Sequence, residues 1–326
     1  MRPALSAFLV LLGSIGCAGN VAAETGAPLD AMAWLKKIAA ASRQTNYAGT
    51  FVYQHGNQSE TSRIAHLVHA GGESERLETL DGPPREIIRN NDNVTCYLPE
   101  TKTVVIEKRV ARRFPATLPE QVSGISDNYV IRKGGQGRVA GYDCQMIVLE
   151  PRDNLRYGHN FCVELKTGLP LQARVFSDKN ELVESFAFTQ LTLGNGVKKA
   201  MLKSRYAAKS KAWRIDKTAL AQAETNVNTG WLVKNQPAGF KKLTEMRHSI
   251  AGHPVPVSHI VYSDGLAAVS IFIEPIPEAP PPTGPTYQGA VNIYVKTQAD
   301  KMVTVMGETP ARTVKQVAES LSSGNQ

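Results

Sequence analysis

The residues with the most specific chemistry in this sequence are its seven histidines and four cysteines. His66 and His69 lie three positions apart on a predicted strand, where the two rings point to opposite faces, so we expect no shared metal ion. His248, His253 and His259 are spaced loosely near a predicted loop. The sequence has neither a Gly-x-Ser-x-Gly nucleophile turn nor a His-Glu-x-x-His metal motif. These patterns predict a binding protein without a metal or cofactor, and not an enzyme.

Two of the cysteines are predicted to form a disulfide. Cys144 and Cys162 are equidistant from Asp153, at the centre of a predicted turn, so they should lie directly opposite each other across a hairpin. Directly opposed residues have Cβ atoms about 4.5–5.5 Å apart, slightly more than a disulfide prefers. Cys17 falls within the N-terminal signal described next. Cys96 is then left over, either as a buried thiol or as a reactive one.

The N-terminus has the parts of a secretory signal peptide. Residues 1–23 contain one early positive charge, an apolar run from Ala4 to Ile15, and small residues before the cleavage position after Ala23. The apolar run is too short to span a bilayer as a helix. A lipoprotein signal around Cys17 is the less favoured alternative, because Ser14 stands where leucine is usual. The mature chain is therefore predicted to be soluble and exported.

Short strands separated by turn residues fill most of the chain up to residue 197. Leu171 to Val175, for example, alternates apolar and polar residues as a strand with one wet face does. A helix with its N-cap at Asp30 is expected to cover the sheet, and residues 118–125 are predicted as a short helix across its mouth. The glycines of residues 134–137 are interpreted as a turn. This pattern predicts an α+β protein with a large curved antiparallel sheet or partial barrel over residues 24–197.

Four aromatic residues could line an apolar pocket in this domain. Phe51 and Tyr53 are two apart on one predicted strand, as are Phe186 and Phe188 on another, so each pair shares a sheet face. The sharper hypothesis is a lipid pocket on that face. The alternative is ordinary packing of a hydrophobic core.

A basic segment follows the large sheet. Residues 198–229 are interpreted as a linker between domains, and its first half carries Lys198, Lys199, Lys203 and Arg205. The whole chain has a formal net charge of +8, which favours anionic partners. The four cations are therefore candidates for a strap that binds an anionic ligand or membrane surface, with a solvated linker as the alternative. No nucleic-acid partner is expected.

A second, small domain is predicted over residues 230–322. Asp264-Gly265 is typical of a two-residue hairpin loop, which would pair Tyr262 with Ala267 and Ile260 with Val269. A proline-rich loop covers residues 275–285. Further strands and one helix follow, with Thr309 as the expected helix cap and a buried stripe formed by Val314, Val317 and Leu321. The domain should therefore be a small antiparallel sheet with one helix.

The chain resembles the RseB/MucB family, the periplasmic regulators of the sigma-E (AlgU-type) envelope-stress response. The likeness runs from Ala33 to Leu321. It is carried by the order and spacing of seven groups of segments: Gly49-Thr50-Phe51-Val52-Tyr53; Glu75-Arg76-Leu77 with Leu80-Asp81-Gly82; Pro151-Arg152-Asp153 with Arg156-Tyr157-Gly158; Thr167-Gly168-Leu169-Pro170; Pro237-Ala238-Gly239-Phe240; Tyr262-Ser263-Asp264-Gly265-Leu266; and Val303 to Pro310. The proline-rich loop and the lysine-rich linker depart from the family pattern.

The resemblance implies a fold and a role. The large domain would be an unclosed barrel like the lipoprotein carriers LolA and LolB, holding lipid A, lipopolysaccharide or lipoprotein acyl chains. The small domain would bind the periplasmic region of a membrane anti-sigma factor of the RseA/MucA type and shield it from the site-1 protease. Tyr262, Asp264, Gly265 and Leu266 are then candidates for the partner-binding surface. Lipopolysaccharide or mislocalised lipoprotein would release the complex. A lipid or lipoprotein carrier is the alternative function.

Overall fold

The computed structural model describes residues 30–108, 118, 122, 124–217, 224–225, 227–248 and 255–323. The predicted signal peptide lies outside these residues. Within them the chain forms a twelve-stranded sheet, a seven-stranded sheet and one two-stranded pair. The expected α+β class is confirmed, as are the unclosed large sheet and the small sheet that carries one helix.

The large sheet is almost entirely antiparallel. Its strand order is β12-β6-β5-β4-β3-β2-β1-β11-β10-β9-β8-β7, so both β12 and β7 are edge strands and the sheet does not close. Only the β12–β6 pair is parallel within this sheet. The strands are β1 Tyr47–His55, β2 Gln58–His69, β3 Gly72–Thr79, β4 Glu86–Asn90, β5 Asn93–Leu98, β6 Thr103–Lys108, β7 Tyr129–Val139, β8 Tyr142–Pro151, β9 Gly158–Glu164, β10 Pro170–Phe176, β11 Leu182–Leu193 and β12 Arg214–Asp216.

The first helix covers the inner face of this sheet. Helix α1 spans Ala31–Gln44, and the Asp30 side chain caps it by accepting a hydrogen bond from the Ala33 amide at 2.6 Å. Trp34, Leu35 and Ile38 are buried in the core of the large domain. The predicted covering helix is therefore confirmed, and its apolar stripe supplies one side of that core. Among the described residues no helix is long and apolar enough to cross a bilayer.

A second, shorter helix contributes to the same core. Helix α2 spans Ile125–Asn128 and therefore starts at the last residue of the predicted helix over residues 118–125. Leu118, Val122 and Ile125 are all buried in the same core cluster as α1. The residues between Leu118 and Val122 lie outside the described part of the chain.

The β8–β9 hairpin contains the Cys144–Cys162 disulfide, with the two Cα atoms 5.4 Å apart. The expected direct opposition of the two cysteines is wrong. Cys144 pairs with Glu164 and Met146 pairs with Cys162, so the disulfide joins diagonal neighbours. The register is shifted because the connection occupies residues 152–157 and is longer than the tight turn that the sequence suggested.

The glycines of residues 134–137 do not form the predicted turn. They lie inside β7, where the register shifts by one residue between Lys133 and Gln136, as at a β-bulge. The Gln145 side-chain amide donates to the Gly134 carbonyl at 2.6 Å and satisfies part of the distorted backbone. The actual turn between β7 and β8 is at residues 140–141, both with positive φ.

The first part of the predicted linker belongs structurally to the large sheet. Short 3₁₀ turns span Lys199–Leu202 and Ser210–Ala212, and β12 then pairs with β6. We call residues 198–217 the strap. The chain leaves the large domain only after the strap, where residues 218–223 lie outside the described part.

The small domain is built on a sheet of order β13-β15-β16-β17-β20-β19-β18. Helix α3, Ala311–Ser320, packs on one face and buries Val314 and Val317, with Leu321 just after it, as predicted. Its N-cap is Pro310 and not the expected Thr309, whose side chain is buried. The strands are β13 Glu224–Thr225, β14 Trp231–Val233, β15 Lys241–His248, β16 Val257–Ser263, β17 Ala268–Pro275, β18 Gly284–Gln288, β19 Val291–Gln298, β20 Lys301–Gly307 and β21 Leu321–Ser323.

The β16–β17 hairpin has a four-residue loop in place of the predicted two-residue loop. Tyr262 pairs with Val269, two positions beyond the expected partner. The Asp264 carboxylate accepts hydrogen bonds from the amides of Leu266 and Ala267, at 2.9 and 2.7 Å, and so stabilises the longer loop. A shift of two residues leaves every side chain on its predicted face, which is why the apolar pattern alone could not detect it.

Candidate functional site

The four aromatic residues proposed as a lipid pocket lie together in the packed interior of the large domain. Phe51, Phe186 and Phe188 are buried, and the Phe188 ring makes edge-to-face contacts with the other two at 6.0 and 6.2 Å. They belong to the same core cluster as α1 and Val122. A lipid chain entering here would have to displace side chains that already fill the face.

Tyr53 lies at the rim of this cluster and carries a polar contact. Its hydroxyl donates to Glu184 Oε2 at 2.6 Å. Burial, helped by the neighbouring carboxylate, raises the pKa of Tyr53 well above its usual range. Burial also raises the pKa of Glu184. The rim of the aromatic cluster is therefore a hydrogen-bonded pair, whereas its centre is apolar.

The hairpin proposed as the partner-binding surface instead joins the two domains. Arg156, in the β8–β9 connection, has a side chain with no solvent exposure, and its Nη1 donates to Asp264 Oδ2 at 2.8 Å. Its Nη2 donates to the Ala238 carbonyl, and its Nε donates to Asp153 Oδ1 at 3.1 Å. All three nitrogens of the guanidinium are thus bonded, two of them to the small domain. We call this group the anchor.

Aromatic rings surround the anchor. The Arg156 guanidinium carbon lies 5.1 Å from the Phe240 ring of the small domain and 5.8 Å from the Tyr129 ring of the large domain. Burial raises the pKa of Asp264, and the Arg156 charge and the loop amides oppose that shift. A charge pair excluded from water in this way is held by geometry and by complete hydrogen bonding.

His159 extends the same group toward the core. Its ring stacks on Phe161 with 6.1 Å between centroids and meets the Tyr129 ring edge-on at 6.2 Å. Burial lowers the pKa of His159 to about 4, so the ring is neutral near pH 7. Because Tyr129 contacts both His159 and Arg156, the anchor has a titratable neighbour.

Helix α2 connects the hairpin loop to the core of the large domain. Asn128 Nδ2 lies 3.5 Å from the Asp264 carbonyl, at the limit of a hydrogen bond. Leu266 packs against the core cluster that includes Ile125. Gly239 has a φ of +79°, and a Cβ there would come within 2.1 Å of the Asn128 side chain, so close approach of the domains requires glycine at this position.

Further contacts extend this interface along both domains. Asn292 Nδ2 donates to the Tyr157 hydroxyl at 2.9 Å, and Thr313 Oγ1 donates to the Leu155 carbonyl at 2.7 Å. Arg312, at the start of α3, forms an ion pair with Asp178. The small domain is therefore fixed to the large one by its hairpin, by β19 and by α3.

These positions change the interpretation of the four hairpin residues. Tyr262 is buried in the small-domain core, the Asp264 side chain is inaccessible, and Leu266 faces the large domain. Gly265 has a φ of +98° and lies beside Ile125. In this arrangement the hairpin holds the domains together and is not a free surface. The sequence reasoning missed Arg156, although it lies in one of the segments that carry the family resemblance.

The strap is fixed to the outer face of the large sheet by a buried ionic network. Glu86 accepts hydrogen bonds from the Ser204 hydroxyl, from the Arg205 amide at 3.1 Å and from Arg76 Nε at 2.7 Å. Arg205 forms a further ion pair with Glu78. Arg205 therefore forms an ion pair within the protein, whereas Lys198, Lys199 and Lys203 are exposed and Lys198 donates to the nearby Asn195 carbonyl, at 2.8 Å.

Aromatic contacts continue the attachment of the strap. The rings of Tyr206 and Trp213 lie 5.9 Å apart, and each also meets Tyr97 of β5, at 6.4 and 6.5 Å. The strap is thus a cover over β3, β4 and β5, and not a solvated linker.

The small sheet has an apolar face opposite to α3, which we call the open sheet face. Five half-buried apolar side chains lie on it, and the strand registers bring them together. The His259 ring stacks on the Phe272 ring with centroids 4.2 Å apart. The five side chains are Met246, Val261, Phe272, Ile293 and Met306.

Two concave regions lie on the large domain. A cleft of about 670 Å³ is formed where the β1–β2, β3–β4 and β5–β6 turns meet, with Glu60, Asp81 and Arg85 in its wall. A groove of about 350 Å³ lies on the outer sheet face and includes Phe176. Neither is lined by the four interior aromatic residues. Within the described residues no group of three or more His, Cys, Asp or Glu side chains is placed to hold a metal ion.

Comparison with known proteins identifies the family. The family model of the MucB/RseB N-terminal domain matches residues 30–206, and that of the MucB/RseB C-terminal domain matches residues 225–322. The chain belongs to the MucB/RseB family. The sigma factor AlgU regulatory protein MucB of Pseudomonas aeruginosa is 32% identical over 97% of this chain and 96% of its own length. The sigma-E factor regulatory protein RseB of Escherichia coli K12 is 22% identical over 99% of both.

Solved structures agree with this assignment. A crystal structure of MucB in complex with MucA(peri) has a TM-score of 0.71 and 30% identity, covering 91% of this chain and 100% of that one. A crystal structure of MucB has a TM-score of 0.63 and 29% identity, covering 90% of this chain and 98% of that one. The resemblance predicted from the sequence motifs is confirmed, and the family is one of sigma-factor regulatory proteins rather than enzymes.

Proposed function

We propose that this protein acts in the periplasm as a negative regulator that binds the periplasmic region of a membrane anti-sigma factor of the RseA/MucA type. Bound in this way, it shields the anti-sigma factor from the site-1 protease. The observation that carries the proposal is the family membership over nearly the whole chain, together with a relative that was crystallised with MucA(peri). A two-domain fold with a fixed interface also suits a protein that offers one continuous binding surface.

The small domain is the proposed place of the partner contact. The hairpin of Tyr262, Asp264, Gly265 and Leu266 then acts indirectly, because it fixes the small domain against the large one. The open sheet face offers the direct contact, since its apolar side chains are half-buried and α3 occupies only the opposite face. Methionine-containing apolar surfaces suit an amphipathic helix or strand of a partner.

The test is a titration of the chain from residue 24 to 326 with the periplasmic segment of the anti-sigma factor encoded in the same genome. We expect binding, and slower cleavage of that segment by the site-1 protease. Ile293→Lys and Met306→Lys should weaken binding, because each places a charge on the open sheet face. Gln316→Lys, on α3, adds the same charge to the opposite side and should leave binding unchanged.

Three results would count against this proposal. Absence of both binding and protection would reject the regulatory role. Equal effects of Ile293→Lys, Met306→Lys and the Gln316→Lys control would reject the open sheet face while keeping the role. Capture of lipoproteins alone from a membrane extract would support the carrier function, which leaves the second domain unexplained.

We also propose that lipopolysaccharide or a mislocalised lipoprotein is the release signal, with its acyl chains entering among Phe51, Tyr53, Phe186 and Phe188. The support is that these side chains belong to, or pack against, the same core cluster as Leu118, Val122 and Ile125. Since Ile125 also lies beside Gly265 of the hairpin loop, displacement of Ile125 would disturb the domain interface.

A pair of matched variants tests the acyl site. Phe186→Ala should weaken binding of lipid A, whereas Phe176→Ala removes the same ring from the outer face of the neighbouring strand and should not. Thermal unfolding of both variants provides the stability control. Loss of stability in Phe186→Ala with unchanged lipid binding would show that the ring serves only core packing.

A further inference from the structure

The strap presents two different sides. Leu202, Ser204 and Tyr206 are half-buried against the sheet, and the residues between them are exposed. This alternation follows from the contacts of Ser204 with Glu86 and of Tyr206 with Tyr97. The attachment therefore fixes which side of the strap meets solvent.

The outward side is strongly cationic. The strap contains a single acidic residue, the half-buried Asp216. Arg205 forms an ion pair with Glu78 and is therefore counted with the inner network. Seven other cationic side chains are exposed: Lys198, Lys199, Lys203, Lys209, Lys211, Arg214 and Lys217.

Apolar side chains are exposed among these cations. Met201 is 41% exposed between Lys199 and Lys203, and Ile215 is 56% exposed on edge strand β12. A site for free phosphate gains nothing from exposed apolar groups. A bilayer surface uses both kinds of residue, because lysines are attracted to anionic headgroups while apolar side chains enter the headgroup region.

We propose that the outward side of the strap is a contact surface for an anionic phospholipid bilayer. The inner network then has a second purpose, since it holds the lysines in a fixed array on the outside of the large sheet. Such a contact would keep the protein close to a membrane. The proposal does not depend on the regulatory function and would hold equally for a carrier.

Vesicle cosedimentation tests this surface on the chain from residue 24 to 326. The wild type should bind vesicles that contain phosphatidylglycerol, should bind phosphatidylcholine vesicles much less, and should dissociate at high salt. The combined variant Lys199→Gln, Lys203→Gln, Lys209→Gln and Lys211→Gln should lose about 5-fold in partitioning for each lysine. The control replaces four exposed lysines elsewhere by glutamine, at Lys36, Lys133, Lys166 and Lys179.

The outcomes separate clearly. A much larger loss in the strap variant than in the control supports the proposal, because the two chains have the same net charge. Equal losses would mean that only overall charge matters and would overturn the proposal, as would failure of the wild type to bind anionic vesicles.

Met201→Ser combined with Ile215→Ser should also weaken binding to the vesicles, and an unchanged affinity would overturn the proposed role of the apolar side chains. Titration of the strap variant with the anti-sigma segment reports separately on the regulatory function.

Discussion

Two of the ionic contacts that attach later parts of the chain to the large domain differ in their access to water. In the anchor, the side chains of Arg156 and Asp264 are both completely buried. In the strap, the Arg205 side chain is 63% exposed, although its partner Glu78 is buried. Each contact is an arginine–carboxylate pair. The pair in the anchor lies in a sealed domain interface, whereas the pair in the strap lies at the protein surface.

The difference in solvation predicts different energies. Breaking a buried pair leaves a charge without compensation and costs about 3–5 kcal/mol, whereas an exposed pair contributes about 0.2–1 kcal/mol. The anchor should therefore resist separation of the domains, and the strap should depend more on Glu86 and on its aromatic contacts than on the charge of Arg205.

The largest expected effect is that of Asp264→Ala. This change leaves the buried Arg156 guanidinium with only Asp153 as a charged partner, and it removes the acceptor that stabilises the hairpin loop. We expect a loss of about 3–5 kcal/mol in the free energy of unfolding, measured by urea denaturation. Asp153→Ala is the control, because its carboxylate contacts the same guanidinium but is partly exposed, and it should cost about 1 kcal/mol.

A double replacement checks the cause. Arg156→Met combined with Asp264→Leu removes both charges and keeps apolar volume at the interface. This variant should be more stable than Asp264→Ala alone, because no unpaired charge remains. If the double variant were the less stable of the two, the pair itself would be the source of stability.

A fall in pH should lower the free energy of unfolding through His159, which lies next to the anchor. The pKa of this histidine is lowered by burial to about 4 in the folded chain, from an ordinary value of 6.5. Between these values the unfolded chain binds the proton more readily than the folded chain does. The contribution of neutral His159 to the free energy of unfolding is therefore fully present above pH 6.5 and is lost as the pH falls toward 4.

A histidine variant isolates this effect from the titration of the carboxylates. Between pH 7.5 and pH 4 the wild type should lose about 3 kcal/mol more unfolding free energy than His159→Gln. Urea denaturation at a series of pH values measures the difference. If the unfolding free energies of the two chains changed with pH in parallel, the folded state would bind a proton at His159 as readily as the unfolded chain does.

The anchor and the strap also show what sequence patterns can and cannot predict. Alternation of apolar residues placed β16 and β17 correctly and assigned the right face to each side chain, because a two-residue shift preserves that face. It could not give the loop length, which depends on the Asp264 hydrogen bonds. Arg156 follows turn residues and is charged, so local sequence suggests exposure. Its burial depends on contacts with residues distant in sequence, among them Asp264 and Ala238.

The composition of the strap does not predict its attachment to the large sheet. A segment rich in lysine, serine and alanine is typical of a solvated linker. The signal that was present is the spacing of Leu202, Ser204 and Tyr206, which alternate as residues facing a surface do. The buried carboxylate of Glu86, which makes the attachment specific, lies more than a hundred residues earlier, so no local pattern could reveal it.

A smaller effect is expected from Glu86→Ala, which removes the central acceptor of the strap. Ser204, the Arg205 amide and Arg76 each lose a hydrogen bond to a buried carboxylate. We expect a loss of about 2–3 kcal/mol in unfolding free energy. Limited trypsin digestion should also cut sooner after Lys203 and Lys209. Glu60→Ala, which breaks the exposed pair with Arg85, is the control and should cost less than about 1 kcal/mol.

The smallest expected effect is that of Arg205→Ala. Because most of this side chain is in water, loss of its ion pair with Glu78 should cost less than about 1 kcal/mol. Glu78 keeps Arg76 and Arg63 as partners, so no buried charge is left alone. Urea denaturation at low salt and in about 1 M salt should show that the cost shrinks as ions screen the pair. A loss as large as that of Glu86→Ala, unchanged by salt, would mean that Arg205 is sealed from water as Arg156 is, and the distinction between anchor and strap would fail.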